Sequence, residues 1–577
     1  MNVETFTTAF SCDHLRPRLE QLRALAKRSC RPLPAPYPRF KLFLSVSDGN
    51  SRAKVVCAKA ETFEEAWSAL VKSFSTIVLE HRLTGRWIRM DWVTAVEPVS
   101  LEQLNSELSK TKRNYFRLGL AFDQDLQFAL TEQELNSNAA LYGGNQINHA
   151  VLNKSNLLKY IQSRFKILPK NILDDASEIF VFNVNSLFCD GDEEPIPLED
   201  HGLATGRRII SHLREPDIFK LVQDCSSYLA RQVKPSGAFT YGIHPCFDRE
   251  IPTYNALRHA STTYSMIEAW EVTGDPSLKD AIDRALAFMC KVLIKQTRLE
   301  NGTSLAVLVE ENNEIKLGGN AVALLALVKY MTATGSNQHR TLAEKLARSI
   351  EYMQNPETGS FVHVLHYPSM EVKDVHRVIY YDGEATFALM RLYAVTLDPT
   401  LLSIVENAFQ YFISKNYWKH HDHWLGYCVS ELVRHKPDKQ YLKFAVDNID
   451  GYLSFVENRV TTFPTLLELM MATQQTLQRM ADLGTHYDLL DRIDLLHFEQ
   501  ALEKRALKLL NGHFWPEFAM YFQNPNRVVG SCFIRHHAFR VRIDDVEHYL
   551  SGFVAYLKYQ ELKKKFKELI STQQLRF

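Results

Sequence analysis

Acidic side chains stand at the start of several apolar helical patterns in this sequence. Asp382 and Glu384 open one such pattern, Asp422 opens the next, and Asp544 and Asp545 open the last. Cleavage of a glycosidic bond needs one carboxyl that stays protonated as a general acid and another that is ionised as base or nucleophile. Burial beside tyrosines raises the pKa of one carboxyl relative to its neighbour. These five acids are therefore the first candidate catalytic residues.

Asp382 and Glu384 are two positions apart, so their side chains diverge by about 200° around a helix axis. Both can serve one bond only if Asp382 lies before the first turn. Otherwise the second carboxylate comes from Asp422, Asp544 or Asp545. Part of the acid enrichment has another explanation, because Asp is a favoured N-cap worth about 1 kcal/mol. Asp382, Asp422 and Asp544 are candidates for that role as well.

The same segments contain aromatic, basic and polar residues that suit a saccharide. Aromatic faces can stack on sugar rings, and guanidinium groups pair bidentately with an acidic sugar or a phosphate. The predicted substrate-binding residues are Tyr254, Arg258, Asn320, Tyr380, Tyr381, His421, His423, Trp424, Arg540 and Arg542. The predicted partner is therefore a saccharide, and the arginines favour an acidic one.

A repeat of about 60 residues positions these segments. Trp270–Pro276, Tyr330–Ser336 and Tyr393–Pro399 are variants of one helix-ending turn. The helix before each turn is apolar nearly all round and must be covered on most sides, whereas the helix after it is amphipathic. Covered helices are predicted near residues 256–272, 319–333, 383–396, 422–435, 463–482 and 544–559. Amphipathic helices are predicted near residues 217–231, 278–294, 341–354, 400–414, 439–456 and 497–511.

A closed ring of six covered helices inside six amphipathic ones buries every covered helix, whereas an open solenoid leaves two ends that need polar caps. Residues 211–577 therefore resemble the six-hairpin glycosidase-like (α/α)6 toroid superfamily, on helix count and turn repeats. The resemblance implies a substrate cleft at the end of the ring where the inner helices begin. It also implies a catalytic domain of the glycoside hydrolase or lyase type.

Two other functions stay open. His259 and His548 are candidate catalytic residues of a sugar epimerase, because a histidine pair on opposite sides of a sugar can exchange a proton at carbon. A non-catalytic toroid that scaffolds an assembly is the alternative from another class. No metal is predicted at His421–His423, because no zinc-binding signature is present, and no cofactor is predicted. Gly318 and Gly319 predict close helix packing in preference to an anion cradle.

Residues 1–210 mix strand and helix signals and predict a separate α/β or α+β domain of unknown role, through which a protein partner could bind. Strands are predicted at Phe40–Val46, Arg52–Ala58, Arg86–Val96 and Glu178–Val184. Capping boxes at Thr62–Glu65 and Thr131–Glu134 predict helix starts. The charged, proline-containing segment Asp190–Pro197 predicts an exposed connection to the next domain.

Composition excludes several classes of protein. Of 577 residues, 46% are hydrophobic, and 67 Lys+Arg balance 67 Asp+Glu, so a globular chain with no basic surface for nucleic acid is expected. No N-terminal leader pattern and no run of about 18 uncharged apolar residues is found, so no membrane span is predicted. Nine cysteines without metal or disulfide spacing fit a reducing compartment, which predicts a cytoplasmic location.

Overall fold

The structure, a computed structural model, describes residues 13–167, 172–173 and 178–575 and divides the chain into two compact units. The first comprises the described residues up to Ser211 together with Ile243–Arg249 and Asn511–Val541. The second comprises His212–Gly242, Glu250–Leu510 and the described residues from Arg542 onward. The sequence boundary after residue 210 assigns Ile243–Arg249 and Asn511–Val541 to the second domain, whereas in the structure they group with the first unit.

The first unit contains one antiparallel sheet covered by helices, which confirms the α+β interpretation of this region. Its strands follow the order β2-β1-β3-β6-β4-β5, with β7 paired to β6. The strands are β1 (Phe40–Ser47), β2 (Lys54–Ala60), β3 (Trp87–Ser100), β4 (Gly119–Ala121), β5 (Ala129–Leu130), β6 (Glu178–Asp190) and β7 (Ile196–Pro197). The helices before the second unit are α1 (Arg16–Ser29), α2 (Phe63–His81), α3 (Leu101–Lys110), α4 (Glu132–Ser137) and α5 (Lys154–Phe165).

Local sequence signals explain these elements. Strands β1 and β2 form the predicted hairpin, with Phe40 paired to Ala60. Both predicted capping boxes are present: Thr62 caps α2 with Glu65, and Thr131 caps α4 in the same way. The segment Asp190–Pro197 was predicted as a domain connection, and this is wrong. It turns back on itself, because β7 pairs with β6 inside the sheet.

The second unit is a closed ring of six inner helices. Each inner helix packs against the next, and the last packs against the first, so the predicted (α/α)6 toroid is confirmed. The helices from the outer and inner layers alternate along the chain as α6 (Glu215–Gln232), α7 (Ala256–Thr273), α8 (Pro276–Phe288), α9 (Leu317–Thr334), α10 (Arg340–Tyr352), α11 (Tyr380–Thr396), α12 (Pro399–Ser414) and α13 (His423–His435). The remaining helices are α14 (Lys439–Asp447), α15 (Leu453–Asn458), α16 (Thr465–Leu483), α17 (Tyr487–Leu490), α18 (Leu495–Leu509), α19 (Pro516–Ala519) and α20 (Ile543–Gln574).

The inner ring consists of α7, α9, α11, α13, α16 and α20, and the outer layer contains α6, α8, α10, α12, α14 with α15, and α18. Two boundaries differ from expectation. The outer helix predicted at 439–456 is interrupted near Gly451, whose φ of +72° does not fit a helix. The outer helix predicted at 278–294 ends as an α-helix at Phe288 and leads into the first strand of a hairpin, Ile294–Arg298.

Short strands connect the helices of this unit or lie at its boundaries. They are β8 (Gly242–His244), β9 (Arg249–Glu250), β10 (Ile294–Arg298), β11 (Ser304–Leu308), β12 (Glu314–Lys316), β13 (Val364–His366), β14 (Val372–Asp374) and β15 (Val541–Arg542). Strands β12, β13 and β14 form a small antiparallel sheet. The sequence analysis predicts only helices for residues 211–577, and these short strands are additional to them.

The repeated turn ends inner helices in one way. Gly274 and Gly335 follow α7 and α9 in the left-handed conformation, with φ of +64° and +69°. Leu397 takes the same conformation after α11, with φ of +55°. The aspartates that follow two of these turns, Asp275 and Asp398, cap the next outer helix through their side chains. The turn therefore stops one helix and starts the next.

Helix α9 shows why an inner helix is apolar all round. Its residues Leu317–Met331 are all buried, because neighbours cover every side. Among the described residues, this is the one helix that is long and apolar enough to cross a membrane by length and composition, and 83% of that window is buried in the fold. The apolar composition is explained by its place in the ring.

Candidate active site

The first turns of the inner helices, with the residues just before them, enclose one cavity of about 270 Å³. Five of the six inner helices contribute residues to it, and α9 contributes its N-cap residue, Lys316. Its lining residues are Asn255, Leu257, Arg258, Ser261, Lys316, Val378, Tyr380, Tyr381, Glu384, His423, Trp424, Thr465, Asp544, Glu547 and His548. Because helix N-termini carry partial positive charge, this end of the ring favours anionic groups.

Eight of the residues predicted from sequence line this cavity together. They are Arg258, Tyr380, Tyr381, Glu384, His423, Trp424, Asp544 and His548. Nine predicted residues do not line it, namely Tyr254, His259, Asn320, Asp382, His421, Asp422, Arg540, Arg542 and Asp545. Their hydrogen bonds show what most of these nine side chains do instead.

His259 is fully buried, and both of its ring nitrogens are engaged. Nε2 lies 2.9 Å from the carbonyl oxygen of Ala285 and therefore donates, while Nδ1 accepts from the hydroxyl of Tyr254 at 2.8 Å. The hydroxyl oxygen of Tyr254 in turn accepts from the backbone N–H of Phe239 at 3.0 Å. Burial lowers the pKa of His259 to about 4, so it is neutral. Tyr254 and His259 thus connect the start of α7 to Phe239 and Ala285 by hydrogen bonds.

Asn320 and His421 also bind the protein itself. The Asn320 side-chain oxygen accepts from the backbone N–H of Leu308 at 2.7 Å. His421 stacks on Tyr452, with ring centroids 3.6 Å apart, and its Nδ1 donates to the carbonyl oxygen of Asn448 at 2.8 Å. Each of these contacts joins a loop or helix start to the outer wall of the ring.

Asp422 is the N-cap of α13. Its Oδ1 accepts from the N–H of Trp424 at 2.9 Å and its Oδ2 from the N–H of Leu425 at 3.3 Å. Asp422 is fully buried, and burial raises its pKa to about 8 against the opposing effect of these two hydrogen bonds. The capping role considered for Asp422 is thus seen in the structure.

Asp382 is buried against a histidine. Its Oδ2 lies 3.2 Å from His363 Nε2, and His363 Nδ1 accepts from the backbone N–H of Arg377 at 2.9 Å. Since Nδ1 is an acceptor, the ring proton sits on Nε2 and is donated to Asp382. Asp382 therefore fixes the segment before α11, and it is not the N-cap, which is Ile379.

The two arginines just before α20, Arg540 and Arg542, have different hydrogen-bond partners. Arg542 donates to Asp544 at 2.8 Å, and its backbone N–H donates to Asp545 at 3.1 Å, which makes Asp545 part of a capping box. Arg540 belongs to the segment that groups with the first unit, where its guanidinium lies 3.0 Å from His537 Nδ1. Asp544 is not the N-cap of α20, since Arg542 precedes the helix.

Glu384 is the most isolated acid of the cavity. It is 6% exposed, and its Oε2 is buried without a hydrogen-bond partner. Burial, and then the charges of Asp422 and Glu547, raise the pKa of Glu384 well above its usual value. A carboxyl in such surroundings stays protonated at neutral pH and can donate a proton to a bound molecule.

Gly318 gives this carboxyl its space. A Cβ atom at Gly318 would overlap Glu384 Oε2 and would lie 2.5 Å from Cδ1 of Tyr381. At Gly319 the nearest atom to such a Cβ is a methyl carbon of Leu308 at 3.2 Å. Close packing at Gly318, expected from sequence, is therefore the reason for a glycine at this position.

A network of hydrogen bonds and ion pairs surrounds His548, which also lines the cavity. His548 Nδ1 donates to Glu468 Oε2 at 2.9 Å and lies 3.6 Å from Glu547 Oε1. Burial opposes the charge on His548, but Glu547 and Glu468 outweigh it and raise the pKa of His548 to about 10. Glu547 accepts from Ser261 at 3.0 Å, and burial raises its pKa to about 7.

His423 differs from its neighbour His548 in charge. The two rings meet edge to face with centroids 5.5 Å apart. Burial and the positive charge of His548 lower the pKa of His423 well below its usual value, so it is neutral. Its Nε2 is buried without a hydrogen-bond partner. One neutral and one charged imidazole therefore lie side by side at the cavity.

Asp544 is the acid with the most cationic surroundings. Its Oδ2 lies 2.8 Å from Arg258 Nε and 2.8 Å from an Arg542 guanidinium nitrogen, while Oδ1 is buried without a partner. Burial and the neighbouring Asp545 raise the pKa of Asp544, and the two guanidinium groups oppose this. The two guanidinium groups thus favour the ionised form of Asp544, while burial keeps its pKa above the usual value.

Two clusters of potential metal ligands lie in the second unit, within the part of the chain that the structure describes: His363, His376 and Asp382, and His423, Glu468 and His548. In the first cluster, His363 Nε2 carries a proton and has no lone pair to offer. In the second, His548 is protonated and ion-paired with Glu468. A metal ion would have to displace that proton, so neither cluster is poised to bind one as it stands.

Sequence reasoning missed Glu547, Glu468, Lys316 and Ser261. Glu468 is the single acid in the first turn of α16, and Glu547 follows Asp544 and Asp545 at the start of α20. An acid in a helix that is otherwise mostly buried is itself a signal, because buried carboxylates need partners. Glu547 also follows Asp544 by three positions, which places both on one helix face. Lys316 and Ser261 carried no such signal.

No protein-family model matches the sequence, and no curated protein matches it. Among solved structures, D-mannose isomerase is similar, with 12% identity over 60% of this chain and 99% of that chain and a TM-score of 0.46. Cellobiose 2-epimerase from Bacillus thermoamylovorans shows 11% identity over 60% and 100%, with a TM-score of 0.44. An inactive α-1,6-mannanase variant from Salegentibacter sp., in complex with α-1,6-mannotriose, shows 12% identity over 59% and 99%, with a TM-score of 0.41. The toroid itself is established by the ring of inner helices.

Proposed function

We propose that this chain is a carbohydrate-active enzyme that acts on a saccharide in the cavity of the toroid by carboxylate acid/base chemistry, of the glycoside hydrolase or lyase type. The observation that carries the proposal is the carboxyl of Glu384. It is buried, its Oε2 has no partner, and its pKa is raised well above the usual value. Such a group is suited to protonate a leaving oxygen.

The second carboxyl is assigned to Asp544. Two guanidinium groups at 2.8 Å support its ionised form, and its free Oδ1 belongs to a residue that lines the same cavity as Glu384. Glu384 donates the proton to the glycosidic oxygen as its bond to the anomeric carbon breaks. In hydrolysis, Asp544 either takes a proton from the water that attacks this carbon or attacks the carbon itself, and water then releases the sugar. In a lyase, Asp544 takes a proton from a sugar carbon and a double bond forms as the glycosidic oxygen leaves. Pairs of carboxyls whose surroundings separate their pKa values divide the acid and base roles in this way.

The walls of the cavity support a saccharide ligand. Tyr380, Tyr381 and Trp424 supply aromatic faces, and Tyr380 is 37% exposed. The volume of about 270 Å³ is at the small end for ligand sites, which favours one sugar ring over a long bound polymer. The N-termini of the inner helices favour an acidic sugar, whereas the two cations of the lining, Arg258 and Lys316, already pair with Asp544 and Glu310.

The proposal is tested with the purified chain and a panel of neutral and acidic oligosaccharides. Reducing-end release reports hydrolysis, and ultraviolet absorbance of an unsaturated product reports a lyase. Glu384→Gln should lose at least a hundredfold in turnover of whichever saccharide is cleaved. The matched control is Glu499→Gln, because Glu499 is also buried with a raised pKa and an unpartnered oxygen but lies on the outer helix α18. Equal activity of both variants would refute the role of Glu384.

A sugar epimerase is the second candidate function, and one observation favours it. Neutral His423 and protonated His548 lie side by side, and a base and an acid of this kind are what proton exchange at a sugar carbon requires. The pair first considered, His259 and His548, is less suitable because both nitrogens of His259 are engaged. Deuterium incorporation from solvent into the sugar, without cleavage, would favour this function.

A non-catalytic scaffold is the remaining alternative. Saccharide binding that survives Asp382→Asn with Glu384→Gln, with no turnover of any saccharide by the unaltered chain, would favour it. A protein partner bound through the first unit and a cytoplasmic location are further proposals. No disulfide bond joins any of the eight cysteines that the structure describes, which supports a reducing compartment.

A further inference from the structure

The first unit contains a second cavity, of about 470 Å³, whose lining has basic but no acidic side chains. It is formed by the start of β2, the region after α4, helix α5, and the segments Ile243–Arg249 and Asn511–Val541. Its lining residues are Ser51, Arg52, Lys54, Asn138, Asn156, Lys159, Tyr160, Ser163, Cys246, Phe247 and Gln523. Three cations thus converge on one hollow that plays no part in the proposed carbohydrate chemistry.

Arg52 is held in place by neutral oxygens. Its guanidinium donates to the side-chain oxygen of Asn138, to the carbonyl oxygen of Cys246 at 2.9 Å and to the side-chain oxygen of Gln523 at 3.2 Å. Burial lowers the pKa of Arg52. A desolvated guanidinium without a carboxylate partner is costly, and a bound anion would offset that cost.

Neither lysine of the cavity has an internal counter-charge. Lys54 and Lys159 form no ion pair within 4.0 Å with any residue that the structure describes. The nearby acid Glu134 is already occupied, since its Oε1 lies 3.0 Å from Arg164 Nε and accepts from Tyr160 at 2.7 Å. The positive potential of the cavity is therefore available to a ligand.

The remaining lining indicates the size and kind of that ligand. Ser51, Ser163 and Asn156 add hydroxyl and amide groups around the cations. Phe247 is 53% exposed and offers an apolar ring face. We propose that this cavity binds a phosphomonoester of a small ring compound, with the phosphate between Arg52, Lys54 and Lys159 and the ring against Phe247. A phosphate suits separate cations better than a carboxylate does, because it offers three charged oxygens.

The test is isothermal titration of the full chain with glucose 6-phosphate, glucose and glucuronate as probes. Glucose 6-phosphate should bind, glucose should not, and glucuronate should bind at least tenfold more weakly than the phosphate. Lys54→Ala with Lys159→Ala should weaken glucose 6-phosphate binding at least tenfold, because charge-assisted contacts are lost. Lys72→Ala with Lys110→Ala is the matched control, as both lysines are exposed on helices of the same unit outside the cavity.

The proposal is overturned if the unaltered chain binds no glucose 6-phosphate at millimolar concentration, or if both double variants bind it equally well. It is also overturned if glucuronate or glucose binds as tightly as the phosphate. Arg52→Lys serves as an additional variant that keeps the charge, and it should weaken binding because a lysine cannot reach the three neutral oxygens and the ligand together. The circular dichroism spectrum and the thermal midpoint of each variant separate lost binding from lost folding.

Discussion

Arg258 Nε lies 2.8 Å from Asp544 Oδ2, and this ion pair joins the first turn of α7 to the first turn of α20. These are the first and last inner helices, so the pair lies where the ring closes and beside the cavity at the same time. The same ion pair therefore connects the first and last inner helices and affects the charge of Asp544, a candidate catalytic acid. Closure of the ring thus supplies one of the two guanidinium groups that favour the ionised form of Asp544 against the effect of burial.

Arg258→Ala should destabilise the chain by about 1–3 kcal/mol, because it removes one of two guanidinium partners from a buried carboxylate while the arginine itself is partly exposed. Urea unfolding measures the change. Arg340→Ala removes an exposed ion pair with Glu344 within one helix and should cost only about 0.3–0.5 kcal/mol. If both variants lose the same free energy of unfolding, the Arg258–Asp544 pair stabilises the chain no more than an exposed ion pair does.

Glu384→Gln should become more stable than the unaltered chain as pH rises. The pKa of Glu384 is raised in the folded state by burial and by Asp422 and Glu547, so the folded chain holds this proton more tightly than the unfolded chain. Stability from this group is fully present below the unfolded pKa near 4.5 and is lost progressively as pH rises toward the folded pKa. Thermal midpoints of both proteins between pH 4 and pH 9 measure the difference. A difference that stays constant with pH would contradict the raised pKa.

Gly318→Ala and Gly319→Ala are adjacent changes with opposite expectations. A Cβ at Gly318 overlaps Glu384 Oε2, whereas the nearest atom to one at Gly319 is a methyl carbon of Leu308 at 3.2 Å, a tight contact that a small shift of this side-chain end relieves. Gly319→Ala should therefore fold and act normally, with a gain of up to about 1 kcal/mol from helix propensity. Gly318→Ala should displace Glu384 and lose most turnover of the cleaved saccharide. Turnover assays and thermal midpoints check both, and normal turnover by Gly318→Ala would show that the position of Glu384 is not critical.

Much of the toroid could be predicted from sequence, because each inner helix carries its own evidence. A helix such as α9, apolar all round, is stable only when neighbours cover it, and the turns that end at Gly274, Gly335 and Leu397 repeat the same chain reversal. These are local signals. The closed ring then follows from the need to cover six such helices at once.

The division of labour among the site residues could not be predicted, because it depends on partners that are distant in sequence. Asp382 and Glu384 are two positions apart, yet the first binds His363 and the second lines the cavity. The partner His363 lies in a connection without periodicity. His259 illustrates the same limit, since its engagement by Tyr254 and Ala285 is visible only in three dimensions.

The grouping of Asn511–Val541 with the first unit also could not be predicted from the sequence. The backbone N–H of Ala53 donates to the carbonyl oxygen of Met520 at 2.7 Å, and the Tyr521 hydroxyl donates to Ser45 at 2.8 Å. These contacts join residues more than 460 positions apart in the sequence. Hydrophobic periodicity reports which face of an element is buried but not against what, so such long-range pairing leaves no local pattern.

Asp422→Asn should keep the shorter of the two capping hydrogen bonds of α13, because its one amide oxygen can accept from the N–H of Trp424, whereas Asp422→Ala keeps neither bond and should cost about 1 kcal/mol. Burial raises the folded pKa of Asp422 to about 8, so the unaltered chain loses stability relative to Asp422→Asn as pH rises from about 4 through 8. Thermal unfolding of the three proteins at pH 5, 7 and 9 measures both effects. If the stability of the unaltered chain instead rose relative to Asp422→Asn over this range, the carboxylate would be stabilised by its cap more than burial opposes it. Asp422 would then join Asp544 as an ionised acid beside Glu384, and the proton of Glu384 would be held more tightly still.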